Sequence, residues 1–167
     1  MDDEKDYLEY YDEMSVHYMY SVGELTPFFK AVREEKKLLG AKCTNCGFVY
    51  FPPRASCSKC YVPNEWVELP GTGRIEAATV CHFGRSQFTD KMPIVIAFIR
   101  LDGADSAIRH TIVTDDPRLE RLKRGTRVKV AFRDAREGKV TDFYFVLDDE
   151  SGANGREETG EPPKGGA

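Results

Sequence analysis

Four cysteines in two closely spaced pairs constrain this chain more than any other feature. They are Cys43, Cys46, Cys57 and Cys60, in the pattern C-x2-C-x10-C-x2-C. Each C-x2-C pair presents two sulfur atoms to one ion, and four thiolates match the tetrahedral coordination of Zn²⁺. Two such pairs at this spacing argue against four ordinary buried cysteines. Because four cysteine ligands leave no open coordination position, the pattern predicts a structural metal site, with zinc favoured and iron as the alternative.

The other cysteine and the start of the chain indicate a reducing compartment. Cys81 lies in a predicted strand, where we expect a small core residue and not a reactive thiol. The chain begins with an acidic stretch that lacks the charge and apolar pattern of a signal peptide. Its longest apolar run has six residues, 94–99, whereas a membrane-spanning helix needs about 20. We therefore expect a cytoplasmic protein that binds metal, and not a disulfide framework.

Short strand patterns dominate the chain after the cysteines. Five strands are predicted, at residues 74–83, 93–101, 107–114, 127–133 and 140–147. One short helical turn carrying Leu119 and Leu122 is expected between the third strand and the fourth. Five strands with one helical insertion fit a small closed barrel of the OB type.

Helices are expected before the cysteines. Three tyrosines and a methionine recur at i, i+4, i+7 and i+11 and predict an amphipathic helix over residues 3–20. These four are Tyr7, Tyr11, Met14 and Tyr18. A second helix is predicted from Thr26-Pro27, which is typical of a helix start, to Gly40, which is typical of a helix end.

The chain is therefore predicted to be α+β and mainly β, with four segments. These are an N-terminal helical segment (1–41), a zinc ribbon (42–70), a five-stranded OB-fold barrel (71–147) and a disordered acidic tail (148–167). The net charge of −4 hides an asymmetry, because residues 21–147 carry 21 bases and 15 acids. The acidic ends argue against a general nucleic-acid binder and leave room for an anion site in the body.

The order of helix, zinc ribbon and OB-type strands resembles the domain-of-unknown-function 35 family over roughly residues 26–147. The matching segments are PFFKAVREEKKLLG, CTNCGFVYFPP, CSKC, WVELPGT and PIVIAFIRL. The resemblance implies a rubredoxin-like zinc ribbon followed by an OB-fold, in a non-catalytic subunit of an acyl-CoA-processing complex. It implies a thiolase-fold partner that performs acyl-CoA thiolysis or acyl transfer, with aromatic-compound degradation as one setting. It also implies acyl-CoA as a ligand shared by the hetero-oligomer, with a hydratase as the alternative partner.

Basic residues concentrate before and along the fourth predicted strand. Coenzyme A carries a 3′-phosphate and a diphosphate, which guanidinium and ammonium groups can bind. The predicted CoA- or anion-binding residues are Arg118, Arg121, Lys123, Arg124 and Arg127. The alternative is that these residues form a solvated face of the strand.

The tyrosine-rich N-terminal segment also has two interpretations. Tyr7, Tyr11, Met14 and Tyr18 either pack on the ribbon or barrel of the same chain, or enter a groove of a partner subunit. We favour the partner contact, because tyrosine is enriched at protein interfaces.

Independent catalysis and nucleic-acid binding are the weaker functional hypotheses. The three histidines, His17, His82 and His110, belong to no recognisable catalytic motif, and adjacent side chains such as Cys81 and His82 point to opposite faces of a strand. Zinc ribbons and OB barrels both occur in nucleic-acid-binding proteins, and residues 143–145 are aromatic. The chain lacks, however, a dense run of bases interleaved with aromatic residues.

Overall fold

The structure, a computed structural model, describes residues 16–82 and 92–148 together with positions 8, 10, 11 and 14. Within these residues the chain forms one short α-helix and eight strands. Helix α1 is Thr26–Lys30, and the strands are β1 Leu38–Cys43, β2 Val49–Tyr50, β3 Asn64–Leu69, β4 Thr72–Cys81, β5 Ile94–Leu101, β6 Ile108–Ile112, β7 Arg127–Phe132 and β8 Phe143–Leu147. The predicted disordered tail falls almost wholly outside the described residues.

The first three strands form a small antiparallel sheet in the order β2-β1-β3. Gly40 lies in the central strand, opposite Val67. A Cβ atom at Gly40 would lie 3.1 Å from Leu69 Cδ1 and 3.2 Å from the Tyr50 carbonyl oxygen, so the sheet packs closely around this position. The prediction that Gly40 ends a helix is therefore wrong, because the residues around it are needed as the middle strand of the ribbon.

The other five strands close into a barrel in the order β4-β5-β6-β8-β7, with β7 returning to pair with β4. All neighbours are antiparallel except β6 and β8, where Ile112 pairs with Phe145 in parallel. The barrel is filled by side chains with almost no solvent exposure, among them Ile75, Ile99 and Val128. This strand order and the filled interior are those of an OB-fold, so the predicted fold class is confirmed.

The five predicted barrel strands are all present, and the last one begins later than predicted. Residues 140–142 form a 3₁₀ turn before β8. The turn forms because the buried Asp142 carboxylate accepts hydrogen bonds from the backbone N–H groups of Glu137, Gly138 and Lys139, at 2.8, 2.6 and 2.8 Å. The expected helical turn near Leu122 is also present, as a 3₁₀ turn over Leu119–Arg121.

The N-terminal helices differ most from expectation. Tyr11, Met14 and Tyr18 have no regular secondary structure and are 90%, 87% and 76% exposed, while Tyr7 lies outside the described residues. The prediction of a helix over residues 3–20 is wrong at the described positions. A short amphipathic helix gains most of its stability by burying its apolar face, and these three side chains remain largely exposed to solvent.

The second predicted helix is shorter than expected. Helix α1 continues as a π-helical turn over Ala31–Glu35 and ends at Lys36, which adopts a left-handed conformation (φ 55°). Phe28 and Val32 from this segment are buried in the same apolar cluster as the barrel core. The helix therefore closes one side of the shared core.

The ribbon is joined to the barrel around Phe51, which is fully buried. The Phe51 N–H donates to Ser106 Oγ at 2.8 Å, and the Ser106 hydroxyl donates back to the Phe51 carbonyl at 3.1 Å. The Val49 N–H donates to the Asp105 carboxylate at 2.8 Å, and the Asp105 N–H donates to the Val49 carbonyl at 2.9 Å. The turn between β5 and β6 is thus bound directly to strand β2 of the ribbon.

Candidate functional site

The four predicted metal ligands converge at one end of the ribbon. The sulfur atoms of Cys43, Cys46, Cys57 and Cys60 all lie within 4.8 Å of one another. Cys46 Sγ and Cys57 Sγ are 3.8 Å apart. Four thiolates about 2.3 Å from a tetrahedral Zn²⁺ ion would be separated by roughly 3.8 Å. The donor set and its spacing therefore fit one tetrahedral metal ion.

The first cysteine pair is held by a tight turn, which we call the first knuckle (residues 43–47). The N–H groups of Asn45 and Cys46 both point at Cys43 Sγ, each at 3.4 Å. The Gly47 N–H donates to the Cys43 carbonyl at 3.0 Å, and Gly47 has a φ of +74°. Glycine adopts this left-handed conformation without steric cost.

The second knuckle (residues 57–61) repeats this geometry with a tyrosine in place of the glycine. The N–H groups of Lys59 and Cys60 lie 3.4 Å from Cys57 Sγ, and the Tyr61 N–H donates to the Cys57 carbonyl at 3.0 Å. Tyr61 has a φ of +57° and its side chain is 86% exposed. A non-glycine residue in this region is strained, so the second knuckle forms at a cost that the first avoids.

Tyr50 is a member of the site that sequence reasoning missed. Its hydroxyl lies 3.4 Å from Cys57 Sγ, and this hydrogen bond, with those from the Lys59 and Cys60 N–H groups, lowers the pKa of Cys57 to about 6 against the effect of burial. The Cys46 N–H group similarly lowers the pKa of Cys43. Both thiols are therefore disposed to be thiolates, the form that binds metal.

Comparison with known protein families matches both halves of the described chain. Residues 31–65 match the rubredoxin-like zinc ribbon domain of ChsH2, and residues 66–133 match its C-terminal OB-fold domain. A DUF35 domain-containing scaffold protein of Methanocaldococcus jannaschii is 31% identical over 137 residues, which cover 78% of this chain and 95% of that protein. A protein of the same name from Methanothermobacter thermautotrophicus is 32% identical over 111 residues, covering 65% and 81%.

The chain belongs to the DUF35 family.

Two solved structures share the fold of this DUF35 protein. One is described as the Ltp2-ChsH2(DUF35) aldolase, with a TM-score of 0.58 and 21% identity over 78% of this chain and 97% of that one. The other is a DUF35 family protein of unknown function from Sulfolobus solfataricus, with the same TM-score and identity, covering 78% and 90%. The order of zinc ribbon and OB-fold that the sequence resemblance implied is thereby confirmed.

The basic residues predicted to bind an anion are mostly paired with carboxylates of this chain. Arg118 forms a bidentate pair with Asp116, with nitrogen–oxygen distances of 2.7 and 2.5 Å, and Arg121 lies 3.9 Å from the same carboxylate. The Arg118 pair holds the pKa of Asp116 below its usual range. Arg124 lies 3.2 Å from Glu76. The side chains of Arg118 and Arg124 remain 73% and 79% exposed and can still meet a ligand or partner.

Arg127 differs from the other four because it supports the barrel. Its guanidinium donates to both oxygens of Asp102, at 2.9 and 2.7 Å, and the Thr72 hydroxyl donates to the same carboxylate at 2.6 Å. These contacts hold the pKa of Asp102 at about 2. An open hollow of about 360 Å³ beside this pair brings Arg121 and Arg127 together with two acidic residues. Its lining residues are Glu120, Arg121, Thr126, Arg127, Leu147 and Asp148.

His110 has a structural role in the barrel. Its ring stacks on Phe143 with centroids 4.5 Å apart, and its Nε2 lies 2.9 Å from the Val140 carbonyl. Its Nδ1 accepts the Thr111 N–H at 2.9 Å, and burial lowers its pKa, so the neutral ring is the stable form.

Among the described residues, no helix has the length and apolar character to cross a membrane.

Proposed function

We propose that this DUF35 protein is a non-catalytic scaffold subunit of an acyl-CoA-processing hetero-oligomer. The observation that carries the proposal is the match along both the ribbon and the barrel to relatives named scaffold proteins, which spans 95% of the Methanocaldococcus protein. The solved structure described as the Ltp2-ChsH2(DUF35) aldolase names a DUF35 chain together with a second protein, which supports a partner subunit that carries the reaction. We propose a thiolase-fold partner that performs thiolysis or acyl transfer, with a hydratase as the alternative.

A structural Zn²⁺ ion is the cofactor that the four thiolates fit. Cys43, Cys46, Cys57 and Cys60 would hold it, and it would supply folding free energy to a ribbon whose own apolar cluster is small. Elemental analysis of the protein, purified without added metal, should return one zinc per chain. A Cys43→Ser variant should lose the metal, and a Cys81→Ser variant should keep it.

We also propose that the five basic residues predicted to bind an anion contact the phosphates of acyl-CoA in the assembled complex. Arg118, Arg121, Lys123 and Arg124 lie near one another on the connection between β6 and β7. Arg127, at the start of β7, belongs to the same proposed contact, although its guanidinium is bound to Asp102. Guanidinium groups that already contact a carboxylate can bind a phosphate as well, since each has five N–H donors.

The basic contact is tested on the intact complex, isolated through a tag on this chain. Replacing Arg121 and Arg124 by glutamine should weaken acyl-CoA binding about tenfold or more and make it less sensitive to salt. Arg109→Gln is the matched control, because Arg109 is exposed and lies on β6, outside this connection. Equal affinities for the double variant and the control would contradict the proposed contact while leaving the scaffold role intact.

The N-terminal segment is proposed to contact the partner subunit. Tyr11, Met14 and Tyr18 are exposed, as are Met19 and Tyr20, so several large apolar side chains project from one short stretch. Deleting residues 1–20 should abolish co-purification of the partner and leave the metal content and the melting temperature of this chain unchanged. Replacing Tyr11, Met14 and Tyr18 by serine should weaken assembly in the same direction. Full assembly without residues 1–20 would refute the contact.

Identification of the co-purifying protein tests the function as a whole. The scaffold role predicts a stoichiometric partner that turns over an acyl-CoA thioester, with no turnover by this chain alone. Turnover by the isolated chain would overturn the proposal. Recovery of nucleic acid with a steep salt dependence in place of a protein partner would favour the nucleic-acid-binding alternative.

A further inference from the structure

The four thiolates of the metal site are not equivalent. Cys43 and Cys57 are each 1% exposed, Cys60 is half-buried and Cys46 is exposed. Cys43 Sγ accepts two backbone N–H groups, and Cys57 Sγ also accepts two. Across residues 16–82 and 92–148, no backbone N–H lies within hydrogen-bonding distance of the Cys46 sulfur.

Tyr50 adds a third hydrogen bond to Cys57 alone. Its hydroxyl is buried with the rest of the residue, which is 6% exposed, and lies 3.4 Å from Cys57 Sγ. The same oxygen accepts the Ser58 N–H at 3.3 Å and lies 3.0 Å from Ser58 Oγ. Because Ser58 can donate both of these hydrogen bonds, the single Tyr50 hydroxyl proton is free to point at the Cys57 thiolate.

The Tyr50 ring is held in place by its neighbours. The centroid of the Phe48 ring lies 4.6 Å from that of Tyr50, and the Arg54 guanidinium lies over the Tyr50 ring, 5.8 Å from its centroid. Lys59 lies over the Phe48 ring at 4.7 Å. The hydroxyl therefore has little freedom to leave Cys57.

Hydrogen bonds and burial both reduce the reactivity of a metal-bound thiolate. A hydrogen bond withdraws charge from the sulfur and lowers its nucleophilicity, and burial blocks the approach of a reagent. Cys57 accepts the most hydrogen bonds and is as buried as Cys43, whereas Cys46 is the most exposed of the four. The ligands of one metal ion should therefore react in a fixed order.

We infer that Cys46 is the site at which soft electrophiles modify the metal centre, and that the Tyr50 hydroxyl makes Cys57 the most protected ligand. The inference rests on the proposed metal site. In the reaction with an alkylating agent such as iodoacetamide, the Cys46 sulfur forms a bond to the reagent's carbon. The carbon–iodine bond breaks, and iodide leaves with the bonding electron pair. The thiolate becomes an uncharged thioether, so three thiolates would remain to hold the ion.

The order of modification can be read directly from peptides of the metal-loaded protein. The protein is treated with limiting iodoacetamide, quenched, unfolded, and blocked at the remaining cysteines with N-ethylmaleimide. Trypsin cleavage after Lys42, Arg54 and Lys59 places Cys57 and Cys60 on separate peptides, and fragment ions distinguish Cys43 from Cys46. We expect Cys46 to be modified first and Cys57 last. Metal release, followed with a coloured chelator, should track the modification of Cys46.

A Tyr50→Phe variant isolates the role of the hydroxyl, because the ring and its packing are kept. We expect the modification rate of Cys57 to rise about tenfold, the effect of losing one hydrogen bond to a charged group, with the Cys46 rate unchanged. Tyr61→Phe is the control, since it removes the hydroxyl of an exposed tyrosine in the same knuckle. If the Tyr50→Phe variant does not fold, the order of alkylation in the unsubstituted protein still tests whether Cys46 reacts first and Cys57 last.

The possible outcomes separate this inference from the proposed metal site. If the protein carries metal but Cys43, Cys57 or Cys60 is alkylated first, the inference is overturned and the proposed metal site still stands. An unchanged Cys57 rate in the Tyr50→Phe variant would overturn the role of Tyr50. Rapid and simultaneous modification of all four cysteines in a protein without metal would overturn both.

Discussion

The two knuckles offer a direct measurement of backbone strain, because they share one backbone geometry and differ in the residue that takes the left-handed conformation. Gly47 and Tyr61 occupy equivalent places and both have positive φ, +74° and +57°. The left-handed conformation costs a residue with a Cβ atom about 1–2 kcal/mol. Tyr61→Gly removes this cost and loses almost no burial, since the side chain is 86% exposed. Glycine also makes the unfolded chain more flexible, which opposes the gain by roughly 0.5–1 kcal/mol.

The net expectation for Tyr61→Gly is stabilisation of about 0.5–1 kcal/mol. In a chain of this size that corresponds to a rise in melting temperature of roughly 1–4 °C, measured on the metal-loaded protein by circular dichroism. The reverse substitution, Gly47→Ala, should lower the melting temperature. A Cβ atom at Gly47 meets no atom within 4 Å, so its cost is purely conformational.

Two further variants decide whether strain is the cause. Tyr61→Ala removes the ring and keeps the Cβ atom, so it should not stabilise the protein. Lys36→Gly tests the same reasoning away from the metal, because Lys36 also has a positive φ (55°), at the end of the helical segment. If Tyr61→Gly melts no higher than Tyr61→Ala, the strain argument is refuted.

Three more predictions concern the barrel and its junction with the ribbon. The depressed pKa of Asp102, about 2 against a usual 3.8, means that its charged form stabilises the fold above about pH 4 and that this stability is lost as the pH falls towards 2. Asp102→Asn should flatten this acid dependence in pH-dependent thermal melts; because the side chain is 40% exposed, the contribution should stay below about 1 kcal/mol. Phe51→Ala should lower the free energy of unfolding, measured by urea titration, by about 3–5 kcal/mol, and Phe51→Leu should lower it by clearly less. Equal losses for the two variants would argue against tight packing around Phe51. Gly73→Ala should destabilise the barrel strongly, because a Cβ atom there would lie 2.5 Å from the Arg100 carbonyl oxygen. A melting temperature within about 1–2 °C of that of the unsubstituted protein would contradict the register of β4 and β5.

The features that were predicted correctly from the sequence depend on local spacing. Within each C-x2-C pair a short turn positions both sulfur atoms. Because only ten residues separate the two pairs, their spacing alone was enough to predict that all four cysteines share one metal site. The barrel strands were found because apolar, β-branched runs alternate with turn residues, as in β5. The position of β8 was less well predicted, because the three hydrogen bonds to Asp142 that delay its start depend on the folded turn.

The features that were missed depend on contacts between distant residues. Tyr18 and its neighbours have the spacing of an amphipathic helix, but spacing does not reveal whether a surface is available to bury the apolar face. The pairing of Arg127 with Asp102 joins residues on different strands and could not be read from the cluster of bases. The contact of Tyr50 with Cys57 is equally invisible in the sequence, because it arises when β2 folds against the second knuckle.

The reciprocal hydrogen bonds between Val49 and Asp105 couple the stability of the barrel to metal binding in the ribbon. The turn that contains Asp105 follows β5 directly and begins at Asp102, the partner of Arg127. If the ribbon loses its ion, its hydrogen bonds to this turn should weaken. The ion pair between Asp102 and Arg127, which holds β7 in place, should then weaken as well. Heating should therefore melt ribbon and barrel in a single transition when metal is bound, and chelation should lower the melting point of the barrel as well as that of the ribbon.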